Sequence, residues 1–121
     1  WSGSQLAIGA SLTWNVVSGT SQAMSVNNGY VANNAALVTI TLPATAAAGT
    51  VVAVTGGLGG AGGWKIAQNA GQTIHFGSVD TTTGVTGYLS SNNQFDGVQL
   101  VCVNANTDFV VIASQGNITY F

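Results

Sequence analysis

Charge is what this chain most lacks. Its 121 residues include one lysine, three aspartates, no arginine and no glutamate. Charged residues make up 3% of the chain, where about 25% is usual. A nucleic-acid surface needs Lys and Arg set against phosphate, and Lys65 alone cannot supply that footprint. A basic patch for anionic lipid is excluded for the same reason. Cysteine is as scarce. Cys102 stands alone, so no disulfide closes within the chain, and its place in the apolar run 98–103 suggests a buried, inert thiol. No apolar run approaches the roughly 18 residues of a membrane helix. Most apolar stretches are also too short for the roughly ten-residue strands of a membrane barrel. No membrane insertion is expected. One histidine, one cysteine and three scattered aspartates make a poor metal inventory, so neither metal nor cofactor is expected.

What remains is Gly, Ser, Thr, Asn, Gln and an ordinary apolar share of 46%. The length suits one domain that closes a core without a staple. Solubility has to come from uncharged polar groups. Neutral surfaces associate readily, because nothing repels a second copy. The balance points to a protein that works assembled, outside the cell, on a cell surface or on a virion. The chain opens at Trp1 without a visible signal peptide, as a mature product or an excised domain would.

Strand signals run throughout. In residues 1–21, Leu6 and Ile8, then Leu12, Trp14 and Val16, keep period two. This extended segment is expected to be a linker or a strand that completes a sheet, either its own or, as a donor strand, a neighbour's, with the sandwich proper over 22–121. Asn27-Asn28-Gly29 has the chemistry of a tight hairpin turn between Met24/Val26 and 30–32. Residues 38–42 alternate and are rich in β-branched side chains. Residues 44–49 offer one helical turn at most, and 51–54 form a continuous apolar strand.

Residues 63–77, G-W-K-I-A-Q-N-A-G-Q-T-I-H-F-G, place Trp64, Ile66, Ile74 and Phe76 on one side and Lys65 and His75 on the other. Asn69-Ala70-Gly71 tolerates positive φ, so a hairpin is expected there. Residues 95–104 and 108–115 form the longest hairpin. Val98, Leu100 and Cys102 line one of its faces, while Val101, Val103, Val110 and Ile112 make the other face apolar too. A sheet in a lone sandwich needs only one apolar face. The second is expected to be covered by the N-terminal segment or by another subunit. Eight or nine short strands and no convincing helix give an all-β fold, an antiparallel β-sandwich of jelly-roll type.

Motifs for chemistry are weak. Residues 57–62, G-L-G-G-A-G, match G-x-G-x-x-G, but W-K-I-A follows and alternates as a strand. The phosphate fingerprint needs a helix at that point. The loop is better explained by flexibility or by a neighbouring chain passing close to its backbone. Catalysis needs ionisable groups held together. Asp96 and Asp108 look like turn residues that bond backbone. No G-x-S-x-G elbow presents a nucleophile for His75, which is expected at a polar or interface position. No enzyme is expected. A glycan site would use an aromatic face with amides and a carboxylate, and Trp64, Tyr88, Asp80, Asn92 and Asn93 are the right types. Asn117-Ile118-Thr119 is a formal N-glycosylation sequon.

The stretch 63–77, then L-V-C-V-N-A-N-T-D-F-V-V-I-A-S-Q-G-N-I-T, together with V-N-N-G-Y-V-A-N-N-A-A-L-V-T-I-T-L-P-A-T-A-A-A-G, resembles the C-terminal β-domains of phage tail-fibre-like and bacterial surface fibre proteins. The resemblance spans roughly residues 14–119. It implies an extracellular or particle-borne module, usually homo-oligomeric, that sometimes touches a host surface. No long repetitive stalk is present, which favours a small polymerising subunit. The expected function is therefore a non-enzymatic structural subunit that binds copies of itself, as a trimer or a filament, by strand addition or sheet packing. Leu6, Ile8, Leu12, Trp14, Val101, Val103, Val110 and Ile112 are the candidate assembly residues. The alternative is a glycan-binding adhesion module built on Trp64, Tyr88, Asp80, Asn92 and Asn93.

Overall fold

The computed structural model describes residues 12–121. The chain is all-β, with twelve strands in two sheets and no helix among these residues. They are β1 (Thr13–Val17), β2 (Ser21–Ala23), β3 (Asn28–Ala32), β4 (Val38–Thr41), β5 (Val51–Gly56) and β6 (Trp64–Ala67). The second half adds β7 (Thr73–Phe76), β8 (Val79–Asp80), β9 (Tyr88–Ser91), β10 (Gly97–Asn104), β11 (Asp108–Gln115) and β12 (Ile118–Tyr120). The seven-stranded sheet runs β1-β3-β5-β10-β11-β7-β8, and the five-stranded sheet runs β12-β9-β6-β4-β2.

The expected sandwich forms, but its sheets are mixed rather than purely antiparallel. From β1 to β7 the chain changes sheet at every connection. Strands two apart in sequence therefore lie side by side and run parallel: β1 with β3, β3 with β5, β2 with β4, β4 with β6. The strands on either side of Asn27-Asn28-Gly29 belong to different sheets, so no hairpin forms there. The same is true of β6 and β7, which flank Asn69-Ala70-Gly71. Both are arches. Asn27 (φ 61°) and Gly71 (φ 79°) do reverse the chain as their residue types suggest. Positive φ sets the bend, but it does not decide whether the arms pair edge to edge or stack face to face. The long hairpin β10–β11 forms as expected and pairs antiparallel.

Side-chain parity builds the core. Val54, Leu100 and Phe109 from the large sheet pack with Ile40, Trp64, Ile66 and Leu89 from the small one. Trp64 is completely buried, and its Nε1 donates to the Asp96 carbonyl at 2.8 Å. Cys102 is buried, as its apolar run suggested.

One end of the sandwich is closed. Gln68 and Gln72, both buried, plug it with amides. Gln68 Nε2 lies 2.8–2.9 Å from the carbonyls of Gln72, Thr82 and Gly84, and its Oε1 accepts from the Thr81 hydroxyl. Gln72 Nε2 donates to the carbonyls of Pro43 (2.8 Å) and Asn106 (3.0 Å), and its Oε1 accepts from the Asn69 backbone N–H (2.8 Å). The Thr82 N–H reaches the Phe121 carbonyl at 2.9 Å, joining the segment after β8 to the end of β12. At the opposite end β1 and β2 are the outermost strands of the two sheets, and among the described residues no strand pairs with their outer edges.

Candidate functional site

Register brings the candidate assembly residues of two distant segments onto one surface. Leu6 and Ile8 lie outside the described residues. Residues 13–17, expected within a donor strand, form β1 of the chain's own sheet, so the sandwich includes them. The outer face of the seven-stranded sheet can be followed row by row. Trp14, Gly29, Ala53, Gln99 and Ala113 form one row. Val51, Val101, Val110 and His75 form another. Val103 and Ile112 continue this face and are about half exposed, as are Trp14 (52%) and, more so, Val16 (67%). A register shift in β11 places Val111 opposite Leu100 and Ala113 opposite Gln99, leaving Ile112 as the extra residue of a bulge.

Trp14 lies flat over Gly29. A Cβ on Gly29 would come within 2.6 Å of the indole, so only glycine lets the ring rest on the sheet. Beside it is a shallow groove of about 400 Å³, floored by Ala53 and Gly97 and edged by Leu12, Trp14, Gln99 and Gln115. No charged side chain lines it.

At the far edge of the same face His75 bridges two carboxylates. Nδ1 lies 2.7 Å from Asp80 Oδ1, and Nε2 lies 2.8 Å from Asp108 Oδ1. Asp108 also accepts from the Thr107 hydroxyl and the Asn104 amide. Asp108 was expected to bond backbone; it binds side chains instead, because β11 runs parallel to β7 and sets the carboxylate beside the imidazole. The hydrogen bond to Asp108, then that to Asp80, raises the His75 pKa above its ordinary 6.5. His75 in turn holds the Asp108 carboxyl below 3.8. With both ring nitrogens engaged, neither is free to take a substrate proton. The set ties β7, β8 and β11 together.

The candidate glycan residues do not converge. Trp64 is a core residue and offers no face to a ligand. The reason is that β6 is a central strand with its even positions turned inward. Asp80 belongs to the His75 cluster. Asn92 uses its amide on the Asn117 carbonyl and the Thr119 hydroxyl. The backbone N–H groups of Asn92 and Asn93 donate to the Asp96 carboxylate at 2.9 and 2.8 Å. Burial alone would raise the Asp96 pKa; backbone N–H donors from Asn93, Asn92 and Asn117 outweigh it and hold the group below 3.8. Asp96 is thus the loop-organising residue its sequence position suggests. Asp80, Asn92 and Asn93 are exposed, and Tyr88 is half-buried. It stacks on Phe121 with centroids 5.5 Å apart, and Lys65 Nζ lies 4.5 Å above its ring.

The glycine loop 57–63 binds its own chain. Gly57 N donates to the Ala32 carbonyl, Gly59 N to Asn33 Oδ1, and Gly62 N to the Asn34 carbonyl. A Cβ at Gly60 or Gly62 would strike backbone within 2.2 Å. Close approach explains the glycines, and their N–H groups are already used. Among the described residues no group of three or more His, Cys or Asp side chains is arranged to hold a metal ion. No protein-family model matches the chain, and no curated protein matches it either.

Proposed function

We propose that this chain is a non-enzymatic structural subunit of an extracellular or virion-associated fibre or surface assembly, and that it associates with copies of itself through the seven-stranded sheet. The observation that carries this is the apolar outer face, where Trp14, Val16, Val101, Val103, Val110 and Ile112 share one surface. A sheet in an isolated sandwich gains nothing from a second apolar face, and contiguous exposed apolar patches mark interaction sites. The single lysine and three aspartates add little repulsion to oppose association. The engaged nitrogens of His75 support a structural role for the one histidine. Light scattering on the purified chain tests the proposal. The wild type should be larger than a monomer, and Val103→Asp with Ile112→Asp should lower its mass while leaving circular dichroism unchanged. A monodisperse wild-type monomer at high micromolar concentration would refute self-association.

Glycan binding comes second, supported by the Tyr88–Phe121 stack beside Lys65. A glycan array would decide it: binding should disappear with Tyr88→Ala, and an array with no wild-type signal removes it.

A further inference from the structure

Strand alternation shows which backbone groups the open end presents. Thr13 N donates to the Asn27 carbonyl, and the Val17 carbonyl accepts from Asn33 N, so the odd residues of β1 face β3. Backbone groups of adjacent strand residues point to opposite sides. The N–H and C=O of Trp14 and Val16 therefore point away from β3, into the open edge. Natural edges are usually blunted by Lys, Pro, a bulge or a covering loop. The sequence of β1, T-W-N-V-V, has no charge and no proline, and its register with β3 is unbroken. The other end differs: β8 bears Asp80 in its ion cluster, and the Thr82–Phe121 bond closes the gap beyond it. The edge strand of the small sheet, β2, has three residues, and its Ala23 carbonyl already accepts from Gln22 Nε2 at 2.9 Å. Among the described residues, β1 is the strand left able to pair.

We propose, building on the self-association argued above, that the open edge of β1 pairs antiparallel with β1 of a second copy, in a two-fold dimer centred on Asn15. Among the described residues only one end of the sandwich is open, so edge pairing joins like to like and closes after two subunits. The register follows from the backbone. Trp14 lies opposite the partner's Val16, and Val16 opposite the partner's Trp14. Each such pair exchanges both N–H···O bonds. The same register sets each exposed indole beside an exposed valine on the outer face, the aromatic and β-branched pairing that stabilises neighbouring strands. It accounts together for the two unpaired residues and for their two exposed side chains. The valine face around Val101 and Val110 stays free, so dimers can stack further by sheet packing.

Two variants and the mass of the wild type test this. Asn15 faces its own copy as a non-hydrogen-bonded pair, whose Cα atoms lie about 4.5 Å apart, within disulfide reach. Asn15→Cys should form a covalent dimer on oxidation, while buried Cys102 does not crosslink. Val16→Pro removes an N–H that only the partner uses, and an edge strand tolerates it. It should halve the mass of the dimer and leave the fold intact by circular dichroism. A monomeric wild type overturns both this inference and self-association. An oligomer that survives Val16→Pro, with Asn15→Cys failing to crosslink, overturns edge pairing and leaves self-association standing. A trimer also overturns it.

Discussion

Replacing Gln72 with leucine asks how much the closed end depends on amides. Leucine has similar volume and suits a position only 1% exposed. It cannot donate to the carbonyls of Pro43 and Asn106 or accept from the Asn69 N–H. Each buried group left unsatisfied costs about 1–3 kcal/mol. The bond to Pro43 is fully buried, while those to Asn106 and Asn69 are partly buried and take a smaller share. The gross loss is about 3–5 kcal/mol, and burying leucine in place of an amide returns about 1 kcal/mol. The net expectation is about 2–4 kcal/mol, which at this chain length corresponds to a fall in Tm of about 8–16 °C. Thermal melts by circular dichroism or calorimetry read this directly. Gln72→Glu is the companion: ionised, it sets negative charge against two carbonyls and should be no better than leucine. At low pH its protonated acid can donate to one carbonyl and should recover part of the loss. If Gln72→Leu melts within about 2 °C of the wild type, the amides are not what holds this end, and the reasoning fails.

The His75 cluster predicts a pH dependence. His75 has a raised folded pKa, so its contribution is fully present below 6.5 and is lost as pH rises through the folded value. Asp108 has a lowered pKa, so its contribution is present above 3.8 and is lost as pH falls through the folded value. His75→Gln should therefore destabilise most between these limits, by up to about 1 kcal/mol because the pairs are partly solvated, and the deficit should shrink in alkali; denaturant titrations at several pH values check it, and an equal deficit at all pH values counts against the clamp. Asp96→Ala removes the acceptor for the Asn92 and Asn93 N–H groups. Bonds to a buried charge suggest a loss of about 1.5–3 kcal/mol, with a change in tryptophan emission because the Trp64 indole bonds the Asp96 carbonyl; an unperturbed melt and spectrum would contradict it.

Period-two patterning marked β4, β6, β7, β10 and β11, together with the inward side of each, because burial parity is a local property of a strand. Trp64, Ile66, Ile74, Leu100 and Cys102 are buried as alternation requires. The scarcity of charge was legible from composition, the burial of Cys102 from its apolar run, and the lack of helix among the described residues from the short alternating segments. Strand pairing was not. Asn27 and Gly71 bend the chain in the same way in a hairpin and in an arch, so the order β1-β3-β5 had to come from long-range contacts. Nor could spacing place His75 between Asp80 and Asp108, because the parallel register of β7 and β11 makes that cluster. Trp64 could have been a ligand platform or a core residue until the sheets closed over it. Sequence determined which side chains turn inward in the strongly alternating strands β4, β6, β7 and β10, and that almost no charge covers the outside. Tertiary structure decided which strands lie side by side, because that choice rests on contacts between residues far apart in the chain, and with it decided that Trp14 and Val101 share one face.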